Sequence, residues 1–92
     1  MSTLHLIRGS ALNNNFDHYQ SLVSVDDDVI LMDDGCYNVN ILWLVTLPTK
    51  RIFVVTEHMQ ARGLTAPEGV MEITAKQLPK QLFKHTNNIT WN

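Results

Sequence analysis

Four short runs of apolar and β-branched residues, at spacings of about 20 residues, place the strongest limit on how this chain can fold. They cover residues 3–8, 29–32, 52–55 and 70–73. Between them, apolar residues recur at helical spacing. Strands that alternate with helices form right-handed crossovers and a parallel sheet with helices on both faces. The sequence therefore predicts a three-layer α/β/α fold with a mostly parallel sheet of about four strands.

The segments between the strands predict helices whose limits are set by breaking and capping residues. They cover residues 16–23 and 39–47 and begin near residues 57 and 77. Pro48 ends the second helix, and Gly63 is well placed at the C′ position of the third. The acidic triplet at 26–28 is interpreted as a hydrated turn.

Composition limits the class of protein. The chain of 92 residues is expected to form one domain, 1–92, with a single core. Seven Lys and Arg against nine Asp and Glu give a net charge of −2, which argues against a direct nucleic-acid partner. Residues 1–8 lack the pattern of a signal peptide, and the apolar run 41–47 is far shorter than the roughly 20 residues that span a bilayer. The single cysteine fits a reducing compartment, so we expect a cytoplasmic protein with no membrane partner.

The second predicted strand ends where chemistry is expected, because sites in open α/β sheets form outside the carboxyl ends of strands. Asp33, Asp34, Gly35 and Cys36 follow that strand. A thiol at a helix N-terminus is favoured as thiolate, whereas neighbouring carboxylates raise the pKa of a thiol. Cys36 is therefore a candidate catalytic residue, and a buried, inert cysteine is the favoured alternative.

Two carboxylates at a strand end are also typical of Mg²⁺ sites in phosphoryl-transfer proteins. Such sites need further carboxylates and a Lys or Thr from other strand ends. The third strand ends in Thr56 and Glu57, which leaves the set incomplete. The favoured interpretation is that Asp34 and Gly35 form a turn and that one aspartate caps the following helix.

Other constellations point away from catalysis. No histidine pair has the spacing of a metal site, and no glycine-rich phosphate loop or nucleophile motif occurs. We therefore predict no metal and no cofactor. His5 alternates with apolar residues in the first strand and is interpreted as a core or sheet-edge histidine.

Two tryptophans are candidate interface residues. Trp43 lies in the segment 41–45, which is apolar on more sides than one face of a surface helix requires. Trp91 either anchors an interface, where tryptophan is enriched, or pins the neighbouring segment to the core. Because no active site is complete, the domain is predicted to act through a partner.

Several segments resemble the TusB/DsrH family in their order and spacing. Residues 4–10 resemble the family's opening, and residues 29–37 resemble its strand and Asp-Gly-x-Tyr turn. Glu57 and the Ala-Arg-Gly-Leu of residues 61–64 are similar to the family's third-helix segment. Residues 84–91, from Lys-His to Trp, are similar to its ending.

This resemblance implies a DsrEFH-like fold and a non-catalytic subunit of a TusBCD-type sulfur-relay complex. In the family, the subunit joins TusC-like and TusD-like partners in a heterohexamer, a dimer of trimers, in the bacterial cytoplasm. The complex passes persulfide sulfur from TusA to a TusE-like acceptor, for 2-thiolation of the wobble uridine of certain tRNAs. The persulfide-bearing cysteine belongs to the TusD subunit.

Two alternatives remain at this stage. The family usually has a small apolar residue in the place of Cys36, so Cys36 inherits no catalytic role. A persulfide carrier that uses Cys36 is nevertheless one alternative. The other is a DsrH-type subunit of an intracellular sulfur-oxidation complex. That branch carries a cysteine in its first-helix region, whereas residues 10–28 contain none, which favours the tRNA-thiolation branch.

Overall fold

Five parallel strands form one sheet in the computed structural model, which describes residues 2–91. The strands are β1 (Thr3–Ile7), β2 (Asp28–Leu31), β3 (Ile52–Val55), β4 (Val70–Ile73) and β5 (Asn87–Trp91). Their order is β4-β3-β2-β1-β5, and every neighbouring pair is parallel. The predicted α/β class and parallel sheet are confirmed. The predicted number of strands is one too low, because β5 was not recognised.

The fifth strand lies beside the first, although the two are far apart in the chain. Its register with β1 runs from Thr3 opposite Asn87 to Ile7 opposite Trp91. Most of its residues are exposed, and only Trp91 is fully buried. A half-exposed edge strand of this kind lacks the apolar run by which buried parallel strands are recognised.

The first helix is shorter than the sequence predicted, and three of the six helices among the described residues are 3₁₀ helices. The α-helices are α1 (Asp17–Gln20), α2 (Thr56–Ala61) and α3 (Leu78–Lys84). The 3₁₀ helices are Asp33–Asn40, Leu42–Thr46 and Ala75–Gln77. The helix predicted over 39–47 is therefore wrong. Ile41 adopts extended backbone there, with φ −118° and ψ 148°, and separates two 3₁₀ stretches.

The side chains of the sheet alternate between two hydrophobic cores, one on each face. Met59 of α2 packs on the core that contains Ile7 and Val54. Leu78 and Leu82 of α3 pack on the other core, beside Leu4. The connections from β1 to β4 all lead in one direction across the sheet, whereas the connection from β4 to β5 leads in the opposite direction. Because each crossover is right-handed, crossovers in opposite directions lie on opposite faces, so helices cover both faces of the sheet.

The end of α2 is fixed by its glycine, as the sequence predicted. Gly63 has φ +67°, its N–H donates to the Gln60 carbonyl at 3.0 Å, and the N–H of Leu64 donates to the Met59 carbonyl at 3.1 Å. These two bonds form a Schellman motif. The motif ends the helix so that Arg62 and His58 lie beside the end of β2. Within residues 2–91, none of the helices is long and apolar enough to cross a membrane.

Candidate functional site at the carboxyl edge of the sheet

The turn after β2 holds a strained residue at the edge where the strands end. Asp33 has φ +50°, in the left-handed region of backbone conformation that residues other than glycine rarely adopt. Its backbone N–H donates to Nδ1 of His58 on α2 at 3.1 Å. Such strain persists only where the surroundings hold it, and it is concentrated at functional sites.

Two arginines from other elements neutralise the acidic pair that the sequence singled out. Arg8, just after β1, donates from Nε to Asp33 Oδ2 at 2.8 Å. Arg62 donates from Nη2 and Nε to Asp34 Oδ1 at 3.0 and 3.1 Å. Both pairs are partly exposed, so each contributes at most about 1 kcal/mol to stability. Their effect is to fix four charges around one opening.

That opening is a cavity of about 420 Å³. It is lined by residues that follow β1, β2 and α2: Arg8, Gly9, Asn14, Asp33, Asp34 and Arg62. We call it the edge cavity. The sequence located the two aspartates at this edge but did not identify Arg8, Arg62 or His58 as their partners. Those contacts depend on which strands are neighbours, and strand order cannot be read from the sequence.

The segment after the aspartates packs tightly against the end of β1. A Cβ atom on Gly35 would lie only 1.8 Å from the carbonyl oxygen of Ile7, so no other residue fits there. The N–H of Met32 donates to that same carbonyl at 3.0 Å. This close approach directs the next residue, Cys36, into the core.

Cys36 is fully buried, and its Sγ lies 3.7 Å from the Leu31 carbonyl. Burial, reinforced by Asp33 and Asp34 and only partly offset by Arg62, raises the pKa of the thiol to about 11. A persulfide carrier needs an accessible thiolate near neutral pH. The geometry therefore does not support the alternative in which Cys36 carries sulfur.

The hypothesis of a magnesium site is likewise unsupported. Asp33 and Asp34 are occupied by arginines, and Glu57 accepts the backbone N–H of Ala75 at 2.9 Å. No side chain caps the 3₁₀ helix at Asp33, so the predicted capping aspartate is wrong. Within residues 2–91, no three His, Cys, Asp or Glu side chains are grouped closely enough to hold a metal ion.

The two tryptophans lie together in an aromatic cluster with Phe16 and Tyr19. Trp91 is fully buried, so its side chain belongs to the core and is not presented to a partner. Trp43 is partly buried, and its Nε1 donates to Gln20 Oε1 at 3.1 Å. The structure thus favours the core role of Trp91 over the interface role.

His5 lies in the core, as predicted, and the hydrogen bonds around it fix its tautomer. Trp91 Nε1, which can only donate, is 3.2 Å from His5 Nδ1, so Nδ1 accepts. Nε2 then carries the proton and donates to Asp27 Oδ2 at 2.9 Å. Asp27 also accepts the backbone N–H groups of Thr3 and Ser24 at 2.9 and 2.8 Å. The network joins β1, β5 and the start of β2.

A second network is centred on the buried Asp28, beside Asp27 at the amino edge of the sheet. Asp28 accepts from Arg51 and from His85 Nε2, the latter at 2.9 Å, and His85 Nδ1 lies 2.8 Å from Ser2 Oγ. Burial alone would raise the pKa of Asp28, but the bonds from Arg51 and His85 outweigh it and hold the pKa below its ordinary value. Asp27 and Asp28 are both buried, so the hydrated turn predicted for 26–28 is wrong at these two positions.

Comparison of the chain with models of known protein families and with curated proteins gives no match.

Proposed function

We propose that this chain is a non-catalytic subunit of a TusBCD-type sulfur-relay complex that supports 2-thiolation of the wobble uridine of tRNA. The resemblance of the sequence to the TusB/DsrH family motivates this proposal. The structural observation that carries it is an exposed apolar surface beside a groove, in a domain whose own thiol is buried. A subunit of this kind contributes surface and leaves the sulfur chemistry to another chain.

The exposed surface is centred on the 3₁₀ helix Leu42–Thr46. Leu42 and Val45 are 85% and 79% exposed, and they flank an apolar cavity of about 530 Å³. We call this cavity and its two flanking side chains the apolar groove. Contiguous exposed apolar surface is typical of protein–protein contacts, because burying it in a complex removes it from water.

The lining of the groove indicates the chemistry of its partner. It is formed by the segment around Leu44 and Leu47 and by the approach to β4 around Pro67 and Val70. Lys50 and Glu68 are the charged residues in this lining, and their charges cancel. An apolar segment of a paralogous subunit fits such a surface better than a charged one does.

The partners proposed are a TusC-like and a TusD-like subunit, in a heterohexamer that is a dimer of trimers. A TusE-like acceptor would then be reached through the complex, at the thiol of the TusD-like subunit. A cytoplasmic location belongs to the same proposal, supported by the resemblance and by the single cysteine.

Co-expression tests this function directly. The full chain, carrying an affinity tag, is produced together with a TusC-like and a TusD-like subunit, and the purified material is measured by native mass spectrometry. We expect one species with two copies of each chain. The double variant Leu42→Lys, Val45→Lys should lose the complex and remain folded, since exposed substitutions change stability by about 0.5 kcal/mol or less.

The matched control is Leu12→Lys, which alters a residue that is 77% exposed and lies outside the lining of the groove. It should assemble like the unaltered chain. A tagged chain that is recovered alone, at a concentration where the TusC-like and TusD-like subunits assemble with each other, would contradict the proposal.

A further inference from the structure

We propose that the edge cavity binds a small oxyanion through Arg8, and that protonation of His58 strengthens this binding. The inference rests on the contacts at the cavity and is independent of the relay proposal. Among the described residues, this is the one part of the carboxyl edge where a cavity, two arginines and a strained turn lie together. The inference names the class of ligand that would bind there.

Arg8 has hydrogen-bond donors to spare. Its side chain is 52% exposed and lines the cavity, and its Nε is bound to Asp33 Oδ2 at 2.8 Å. Among the described residues, its two terminal nitrogens donate to no protein atom. A guanidinium fork of this kind matches the geometry of an oxyanion.

Arg62, by contrast, is fully used. Nε and Nη2 donate to Asp34, and Nη1 donates to the carbonyl of His58 at 3.1 Å. Its role is to fix Asp34 at the rim of the edge cavity and to tie the end of α2 to the turn after β2. Arg8 is therefore the residue that can receive an anion.

The charge of the cavity limits binding at neutral pH. Arg8 and Arg62 supply two positive charges, and Asp33 and Asp34 supply two negative ones. The sum is zero while His58 is uncharged. An anion that enters then competes with Asp33 for Arg8 and gains no net attraction.

The hydrogen bond to His58 occupies its Nδ1 as an acceptor. Nδ1 accepts the Asp33 N–H at 3.1 Å, and a ring nitrogen that accepts carries no proton. The same Nδ1 lies 3.6 Å from Asp33 Oδ1. A proton added at Nδ1 therefore faces an amide donor, which repels it, and a carboxylate, which attracts it.

Protonation of His58 therefore redirects Asp33. The carboxylate of Asp33 turns to the imidazolium, its hold on Arg8 weakens, and the cavity gains one positive charge. The other charges that face His58 are those of Asp34 and Arg62, together with Glu57 on its own helix, which is bonded to the N–H of Ala75. The buried Cys36 thiol stays protonated, since burial raises its pKa to about 11.

Sulfate is the probe of choice, because its charge does not change between about pH 5.5 and pH 7.5, the range in which histidine titrates. The full chain, labelled with ¹⁵N, is titrated with sodium sulfate at both pH values, and sodium chloride keeps the ionic strength constant. We expect the amide signals of Gly9 and Asp33 to move. Affinity should be about tenfold higher at the lower pH, within the usual range for coupled sites.

Variants separate the two parts of the proposal. Arg8→Gln should abolish the shifts at Gly9, and Arg8→Lys, which keeps the charge but not the fork, should weaken binding severalfold. His58→Asn places an uncharged acceptor near the position of Nδ1, so the affinity should lose its pH dependence. Lys80→Gln removes a positive charge on α3 and should change nothing.

The unaltered chain alone can overturn the inference, so the test does not depend on any variant folding. Shifts spread over surface lysines instead of the edge cavity would exclude a site at Arg8. Equal affinity at both pH values would exclude the role of His58. Conversely, bound sulfate should move the midpoint of the His58 ring titration to higher pH, because anion and proton then favour each other.

Discussion

Single residues show how burial alters the chemistry that a sequence suggests. Cys36 and His5 are both fully buried. The sequence suggested a possible reactive thiol for Cys36 and a core or sheet-edge position for His5. His5 has a partner for each ring nitrogen, whereas Cys36 has only a distant carbonyl at 3.7 Å. The hydrogen-bonding groups of His5 are therefore all paired, whereas the Cys36 thiol behaves as a small apolar side chain.

We expect the thiol of Cys36 to be unreactive in the folded chain. At about pH 7 the native protein should react with a disulfide reagent at least about 100-fold more slowly than the same protein in urea, since reaction requires local opening. The pKa of about 11, against an ordinary 9.0, means that native reactivity keeps rising above pH 9. Prompt, complete labelling of the native protein at neutral pH would be inconsistent with this structure.

At the scale of elements, β1 to β4 were predicted within one residue at each end, because buried parallel strands are continuous apolar runs. The strand β5 was missed because its sequence, Asn-Asn-Ile-Thr-Trp, is mostly polar and exposed. The helix over 39–47 was wrong for another reason. Asn38 turns inward to accept the Ala11 N–H and to donate to the Gly9 carbonyl, which holds the backbone in a 3₁₀ path.

Trp91 should contribute more to stability than Trp43, because it is the residue that fastens β5 to β1. Trp91→Phe leaves Nδ1 of the buried His5 without a donor, at a cost of about 1–3 kcal/mol beyond the lost contacts. Trp43→Phe removes a bond between two partly buried side chains, where water can replace the indole beside Gln20, so its cost should be smaller by at least about 1 kcal/mol. Urea unfolding followed by circular dichroism measures both. Equal losses would mean that the His5 bond contributes nothing.

For the whole molecule, the sequence predicted where the candidate site lies but not which residues form it. The carboxyl ends of the strands follow from the βαβ pattern, and so does the position of Asp33. The partner Arg8 follows β1, and His58 and Arg62 come from α2 and its end; which of these segments lie beside Asp33 is set by strand order. Nor does the pattern reveal that Asp28, in an acidic triplet, is buried beside Arg51.

Acid should destabilise the fold through the two buried aspartates. The pKa values of Asp27 and Asp28 are lowered in the folded state, so their contribution to stability is present above the unfolded value and is lost as the pH falls below about 3.8. The free energy of unfolding, measured in urea, should therefore fall steeply between about pH 5 and pH 2.

The variant Asp28→Asn should cost about 2–3 kcal/mol at pH 7, because hydrogen bonds to a charged group are lost, and much less at pH 2.5. Asp17→Asn, on the exposed start of α1, should keep the acid dependence of the unaltered chain. An Asp28→Asn protein with the same pH profile as the unaltered chain would show that Asp28 does not drive the acid response.

The place of β5 beside β1 also bears on how the protein is made. A ribosome releases β1 first and β5 last of the five strands, yet the two are neighbours in the finished sheet. Until residue 91 has left the exit tunnel, His5 has no donor from Trp91, and one edge of β1 has no partner strand. The nascent chain therefore carries an open strand edge on β1 until β5 emerges. Such an edge is a target for chaperones and for premature contact between neighbouring chains on one messenger.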